Sequence, residues 1–107
     1  MKLFTENVVN IILSIPSGKV MTYGQISKLA GNPRGARQVV RILHTMGEKY
    51  KLPWHRVINA KGEIGIKDEG LFMEQKISLE EEGIVFLTDK KIDLSTYQYN
   101  PKDGFGE

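Results

Sequence analysis

The stretch from Thr22 to Leu43 constrains the fold more than any other part of the chain. Thr22-Tyr23-Gly24-Gln25 has the spacing of a capping box, in which Thr and Gln side chains satisfy each other's backbone donors at a helix start. The helix it opens is predicted over residues 23–30, with Ile26 and Leu29 turned inward. Gly31 ends it in the left-handed conformation, which glycine alone adopts cheaply. Asn32 is expected to cap a second helix, with Pro33 in its first position, where a missing N–H costs nothing. Ala36, Val39, Val40 and Leu43 form the expected apolar stripe of that helix, while Arg34, Arg37 and Arg41 fall with Gln38 on another face. Two helices joined by a tight Gly-containing turn, the second studded with arginine, make a helix-turn-helix pattern. Arginines so placed neutralise phosphates and can read guanine edges, although a merely solvated helix face would carry the same residues.

The flanking segments are shorter on signal. Phe4, Val8, Ile11, Ile12 and Ile15 recur at helical spacing, with Thr5 as candidate cap and Pro16 as the stop. Val57-Ile58, a turn over residues 59–62 and residues 64–66 predict a small β-hairpin. Residues 71–82 read as a helix with Leu71, Ile77 and Leu79 inward and Gly83 beyond its end, and Val85-Phe86-Leu87 as a short strand. Residues 88–107 show no periodicity and are expected to form a poorly ordered tail. The fold class expected is mainly α: a winged-helix-like DNA-binding domain with a helix-turn-helix and a small β-hairpin, one domain over residues 1–107.

Composition narrows the chemistry. The chain has no cysteine, which excludes disulfides, thiolate metal sites and thiol nucleophiles. With His44 and His55 as the only histidines, no metal or other cofactor is expected. The apolar run of residues 8–15 is too short to span a bilayer, and Thr5, Glu6 and Asn7 interrupt any signal-peptide pattern, so a cytoplasmic protein without membrane contact is expected. Residues 1–67 hold 11 Lys or Arg against 3 acidic residues, whereas residues 68–107 hold 4 against 10. A balance of +8 followed by −6 suggests one face for a polyanion and another turned away from it.

Three motifs in order give the chain a family likeness. Thr22-Tyr23-Gly24-Gln25, the run from Ala30 to Arg37, and Pro53-Trp54-His55-Arg56-Val57-Ile58 resemble the C-terminal domain of the 6-O-alkylguanine-DNA alkyltransferases. That family's reactive motif is Pro-Cys-His-Arg-Val, and Trp54 stands where it has cysteine, as in the alkyltransferase-like proteins. The resemblance implies that Tyr23 crowds the phosphate and helps rotate the target nucleotide, while Arg37 enters the stack through the minor groove. It also implies that Gly35 and Ala36 let the helix approach the groove walls, with Arg34, Gln38 and Arg41 completing the DNA-binding set. Tyr23, Trp54, His55, Arg56, Val57, Lys67 and Asp68 would surround the flipped base. His55 and Glu82 match the histidine and glutamate of the transferases' proton relay, left here without an acceptor.

Two positions depart from the transferase pattern. Met46 occupies the place of an Asn, and Lys67-Asp68 the place of Tyr-Ser; alkyltransferase-like proteins often have an arginine at the Lys67 position, near the rim of the base pocket, and Lys67 keeps that charge but lacks the planar surface. The function implied is recognition and flipping of 6-O-alkylguanine in double-stranded DNA by a monomer, without alkyl transfer. The lesion would then be marked for nucleotide excision repair proteins. The alternative is a generic helix-turn-helix transcriptional regulator, which would explain the arginine face but not residues 53–57.

Overall fold

The computed structural model describes residues 2–101 and is mainly helical. Helix α1 (Leu3–Ser14) leads to strand β1 (Met21–Thr22), which runs straight into α2 (Tyr23–Leu29); α3 (Ala36–Met46) follows. A single 3-10 turn at Trp54–Arg56 then enters β2 (Val57–Ile58), and α4 (Glu69–Glu81) and the short α5 (Leu94–Tyr97) complete the order. No helix among the described residues is long and apolar enough to cross a membrane.

The helix-turn-helix forms with its capping box in place: Thr22 Oγ1 accepts from the Gln25 backbone N–H at 3.1 Å, and Gln25 Oε1 accepts from that of Thr22 at 3.2 Å. Gly31 has φ +106°, so the left-handed stop is as expected. The start of α3 differs. Asn32 and Pro33 lie in a turn before the helix, closed by the Gly35 N–H on the Asn32 carbonyl at 3.0 Å, and Gly35 occupies the N-cap position. Asn32 instead uses its side-chain oxygen on the Arg34 N–H. Likewise α1 starts earlier than Thr5 allows, with Lys2 at its N-cap position and no side-chain cap.

The expected β-hairpin is corrected by the structure. β2 pairs in parallel with β1, Met21 opposite Val57 and Thr22 opposite Ile58. Asn59 still folds the following turn, its Oδ1 accepting from the N–H groups of Lys61 and Glu63. The returning arm then finds another partner: the Ile64 N–H donates to the Lys90 carbonyl at 3.0 Å and the Ile92 N–H to that of Gly62 at 2.9 Å. Burial explains the choice, since Ile64 and Ile92 close the same apolar cluster with Val20, Ile58, Leu79 and Ile84. Met21 and Val57 point the other way, into the larger cluster of Val8, Ile11, Ile12, Ile26, Val39 and Ile42. Alternation along two very short strands thus separates two cores.

Helix faces also shift relative to the sequence reading. On α3 it is Val39 and Ile42 that are buried, while Val40 is exposed. On α4, Gln75 and Leu79 face inward, and Leu71 and Ile77 are exposed at 42% and 47%. Residues 85–87 form no strand. Of the segment expected as a tail, residues 88–101 pack on the body through Ile92 and Tyr99, and residues 102–107 lie outside the described residues.

Candidate nucleic-acid interface

Helix α3 presents Arg37, Gln38 and Arg41 to solvent, with Arg34 exposed in the turn before it. Ala36 is half-buried at the helix start. Gly35 is buried. A Cβ built there would lie 3.0 Å from the Phe4 ring and 3.1 Å from the Asn32 amide, so its small size serves the packing of the turn against α1.

Tyr23 begins α2 directly after β1 and packs against the larger core. Burial raises its phenol pKa above the ordinary value. The position is braced from the far end of the chain. Gln25 Nε2 donates to the Tyr99 carbonyl at 2.6 Å, Gln98 Nε2 donates to Gln25 Oε1 at 2.8 Å, and the Tyr99 N–H donates to the Val20 carbonyl at 2.7 Å. A segment without sequence periodicity therefore fixes the start of the helix that carries Tyr23.

Trp54 is half-buried on the 3-10 turn. The turn is held by Gln75, 2% exposed, whose Nε2 donates to the carbonyls of His55 at 3.1 Å and Val57 at 3.0 Å. The sequence reading missed Gln75, because a polar side chain on a helix is ordinarily assigned to solvent.

The two residues that follow Trp54 enter a polar cluster with Glu82. His55 Nε2 and Glu82 Oε2 are 2.7 Å apart. Arg56 clamps the same carboxylate, with Nε 3.0 Å from both oxygens and Nη2 2.7 Å from Oε2, and its Nη1 donates to the Ile15 carbonyl at 2.9 Å. The Gly18 N–H donates to Glu82 Oε1 at 2.9 Å. Burial by itself would raise the Glu82 pKa. The bonds from Arg56, then His55, then Gly18 outweigh it and hold the carboxyl at about 2. Glu82 is thus an anion that ties the end of α4 to the 3-10 turn and to the segment after α1. His55 and Glu82 are paired, and Arg56 is engaged in the same tie.

Two further residues assigned to the base pocket have structural tasks. Val57 is 1% exposed in the core, and Asp68 caps α4, its Oδ1 accepting from the Leu71 N–H at 2.9 Å. Lys67 is exposed beside an open cleft of about 310 Å³ lined with Ile66, Glu69, Phe72 and Met73. Among the described residues no group of three His, Asp or Glu is placed to hold a metal ion.

The chain is similar to known proteins of one family. The family of the 6-O-methylguanine DNA methyltransferase DNA-binding domain matches residues 3–84. The "DNA base-flipping protein" of Vibrio parahaemolyticus is 45% identical over 98 residues, covering 92% of this chain and 97% of that protein. The Escherichia coli protein of the same name is 42% identical over 97 residues, covering 91% and 74%. The crystal structure of Schizosaccharomyces pombe Atl1 with damaged DNA containing O6-carboxymethylguanine superimposes with a TM-score of 0.82 at 37% identity, covering 94% of this chain and all of that one.

Proposed function

The chain belongs to the family of the 6-O-methylguanine DNA methyltransferase DNA-binding domain, and from that premise we propose that it binds 6-O-alkylguanine in duplex DNA, flips the base, and transfers nothing. The observation that carries the reading is Trp54. It occupies the acceptor position of the Pro-Cys-His-Arg-Val motif in a chain without cysteine, beside a His55–Glu82 pair that remains bonded at 2.7 Å. Alkyl transfer needs a thiolate to attack the alkyl carbon. An indole has no lone pair suited to that attack, but it can stack on a base or touch an alkyl group. Loss of the acceptor with retention of its neighbours fits a protein that keeps the binding site and has given up the reaction.

The remaining roles follow from position. Exposed Arg37, near the start of α3, fills the space left by the extruded nucleotide, and Tyr23 presses on the backbone beside it. Arg34, Gln38 and Arg41 contact phosphates, and Lys67 places a cation at the pocket rim. His55, Arg56 and Glu82 keep the Trp54 turn rigid. Extrusion costs a few kcal/mol, less for a poorly paired base, and alkylation of guanine weakens its pairing. A protein that holds a lesion without removing it is useful when another system follows, and nucleotide excision repair is the system proposed.

The deciding experiment is a titration of matched oligonucleotide duplexes with and without one 6-O-methylguanine, followed by a base-analogue fluorophore next to the lesion. Tighter binding to the damaged duplex with a fluorescence rise is expected. Equal affinity without a rise would leave a helix-turn-helix protein that does not recognise damage.

A further inference from the structure

Helix α4 is apolar on two sides. Its inner side places Gln75 and Leu79 in the body, with Phe72 packed on the smaller core. Its outer side carries Met73 and Ile77, 48% and 47% exposed. Four residues separate them, so they stack about 6 Å apart along the axis. A helix that serves its own core alone is polar on the outside. At the Met73 end this ridge runs into an open cleft of about 310 Å³, lined also by Ile66 and Phe72, with Lys67 and Glu69 contributing one charge of each sign. Helical geometry sets exposed Glu69 and Glu80 along one flank of the ridge, and exposed Glu74 and Glu81 along the other. Lys76, the one lysine of the helix, is half-buried with its Nζ 5.2 Å from the centroid of the Phe86 ring. The ridge is remote from the arginine face in its packing: α4 rests on the 3-10 turn, whereas α3 rests on α1 and α2.

We infer that the outer face of α4 docks a cationic amphipathic helix of a partner protein. Aliphatic side chains of that helix sit on Met73, Ile77 and the cleft, and its Lys or Arg residues pair with the flanking glutamates. Charge decides the occupant. Four carboxylates around an apolar ridge repel a phosphodiester chain or an anionic lipid surface and attract a positive partner. The ridge in turn selects against a merely basic, unfolded tail, which would leave Met73 and Ile77 wet. An amphipathic helix covers both features at once, with anchors at i, i+3 or i+4, and i+7. The inference goes beyond the DNA reading and does not depend on it, since Met73, Ile77 and the four glutamates lie outside α3 and the Trp54 turn. A second copy of this chain, offering its arginine face, is the competing occupant.

The probe is a leucine–lysine peptide of about 18 residues with its leucines at helical spacing, titrated without DNA into the isotope-labelled full chain. Amide chemical shifts should move along residues 69–81 and beside the cleft. Fluorescence anisotropy of the labelled peptide gives the affinities. The double variant Met73→Ser, Ile77→Ser keeps every charge and should weaken binding at least about tenfold, because two apolar contacts are lost. The double variant Glu74→Gln, Glu80→Gln should weaken it about threefold to tenfold at low salt and flatten its salt dependence. Leu13→Ser, at an exposed leucine of α1, should change nothing. A peptide of the same composition with its leucines scattered should bind at least about tenfold more weakly, and circular dichroism checks that each variant keeps its helices. Absence of binding, equal binding of the scattered peptide, or shifts that avoid α4 overturn the docking face. A concentration-dependent dimer in sedimentation that Met73→Ser, Ile77→Ser abolishes also overturns it, by assigning the face to a second copy. Failure of the damage-recognition reading has a separate signature, equal affinity for duplexes with and without 6-O-methylguanine, and leaves these outcomes untouched.

Discussion

Replacing Glu82 with Gln keeps the size of the side chain but removes the negative charge shared by Arg56, His55 and the Gly18 N–H. The carboxyl is held at about 2 against an ordinary 4.5. Each unit is worth about 1.4 kcal/mol, so the unscreened value is about 3 kcal/mol. Side chains of Glu82 and Arg56 are 13% and 19% exposed, and partial screening brings the contribution to roughly 2 kcal/mol. The amide NH2 of the variant would also face donors, leaving Arg56 short of acceptors; a hydrogen bond to a charged group is worth about 1.5–3 kcal/mol. A net loss of about 2–3 kcal/mol is expected. With about 2.1 cal/mol/K per residue of unfolding entropy, that lowers Tm by about 9–13 °C for a chain of 107 residues.

The pH dependence has a fixed sign. A carboxyl with a depressed folded-state pKa contributes fully above its unfolded value near 4.5 and loses that contribution as pH falls toward about 2. The gap between wild type and Glu82→Gln should therefore be widest at neutral pH and shrink between about pH 4.5 and 2. Thermal unfolding followed by circular dichroism across that range measures it. A Tm change under about 3 °C at neutral pH, or a gap as wide at the acid end as at pH 7, would refute a stabilising anion at Glu82.

Other substitutions probe the remaining links. Incubation with a duplex carrying a labelled alkyl group should leave all label on the DNA, and Trp54→Cys need not restore transfer, since Met46 stands where the transferase pattern has Asn; label on the wild-type protein would end the non-catalytic reading. Arg37→Ala should cost about 2 kcal/mol or more in binding to damaged duplex, beyond the ~1 kcal/mol of one phosphate contact, because unstacking goes uncompensated. Tyr23→Ala should reduce the extrusion signal with a near-wild-type salt slope, and full fluorescence in both variants would remove them from the flipping step. Gln75→Leu leaves the His55 and Val57 carbonyls without their donor, and a destabilisation of about 2–3 kcal/mol by urea denaturation is expected. Gly35→Ala should cost about 1 kcal/mol through its contact with Phe4, and Phe4→Leu in the same chain should recover part of it; an additive pair would show the two are not in contact.

What could be read in the sequence was local. The capping box at Thr22 and Gln25 and the left-handed stop at Gly31 each depend on a few consecutive residues, so spacing alone located the first helix and its end, while the start of the second fell at Gly35 and left Arg34 in the turn before it. The absence of cysteine settled, without any structure, that Trp54 has no thiol to replace it. The His55–Glu82 pair came from family likeness and not from spacing, since 27 residues separate them.

Only the tertiary structure decided the partners of groups that hydrogen-bond or pack over long separations. Val57-Ile58 could pair with the residues that follow or with Met21-Thr22, and burying Ile64 beside Ile92 settled it in favour of the parallel pair. Gln75 was invisible because its value lies in two carbonyls 18 and 20 residues away. Arg56, Val57 and Asp68 were placed at the pocket by family likeness, and only the packed structure shows that they also form a clamp, a core position and a helix cap. Periodicity reports which side of an element is apolar; which distant atom satisfies a buried donor or acceptor is fixed when the elements pack.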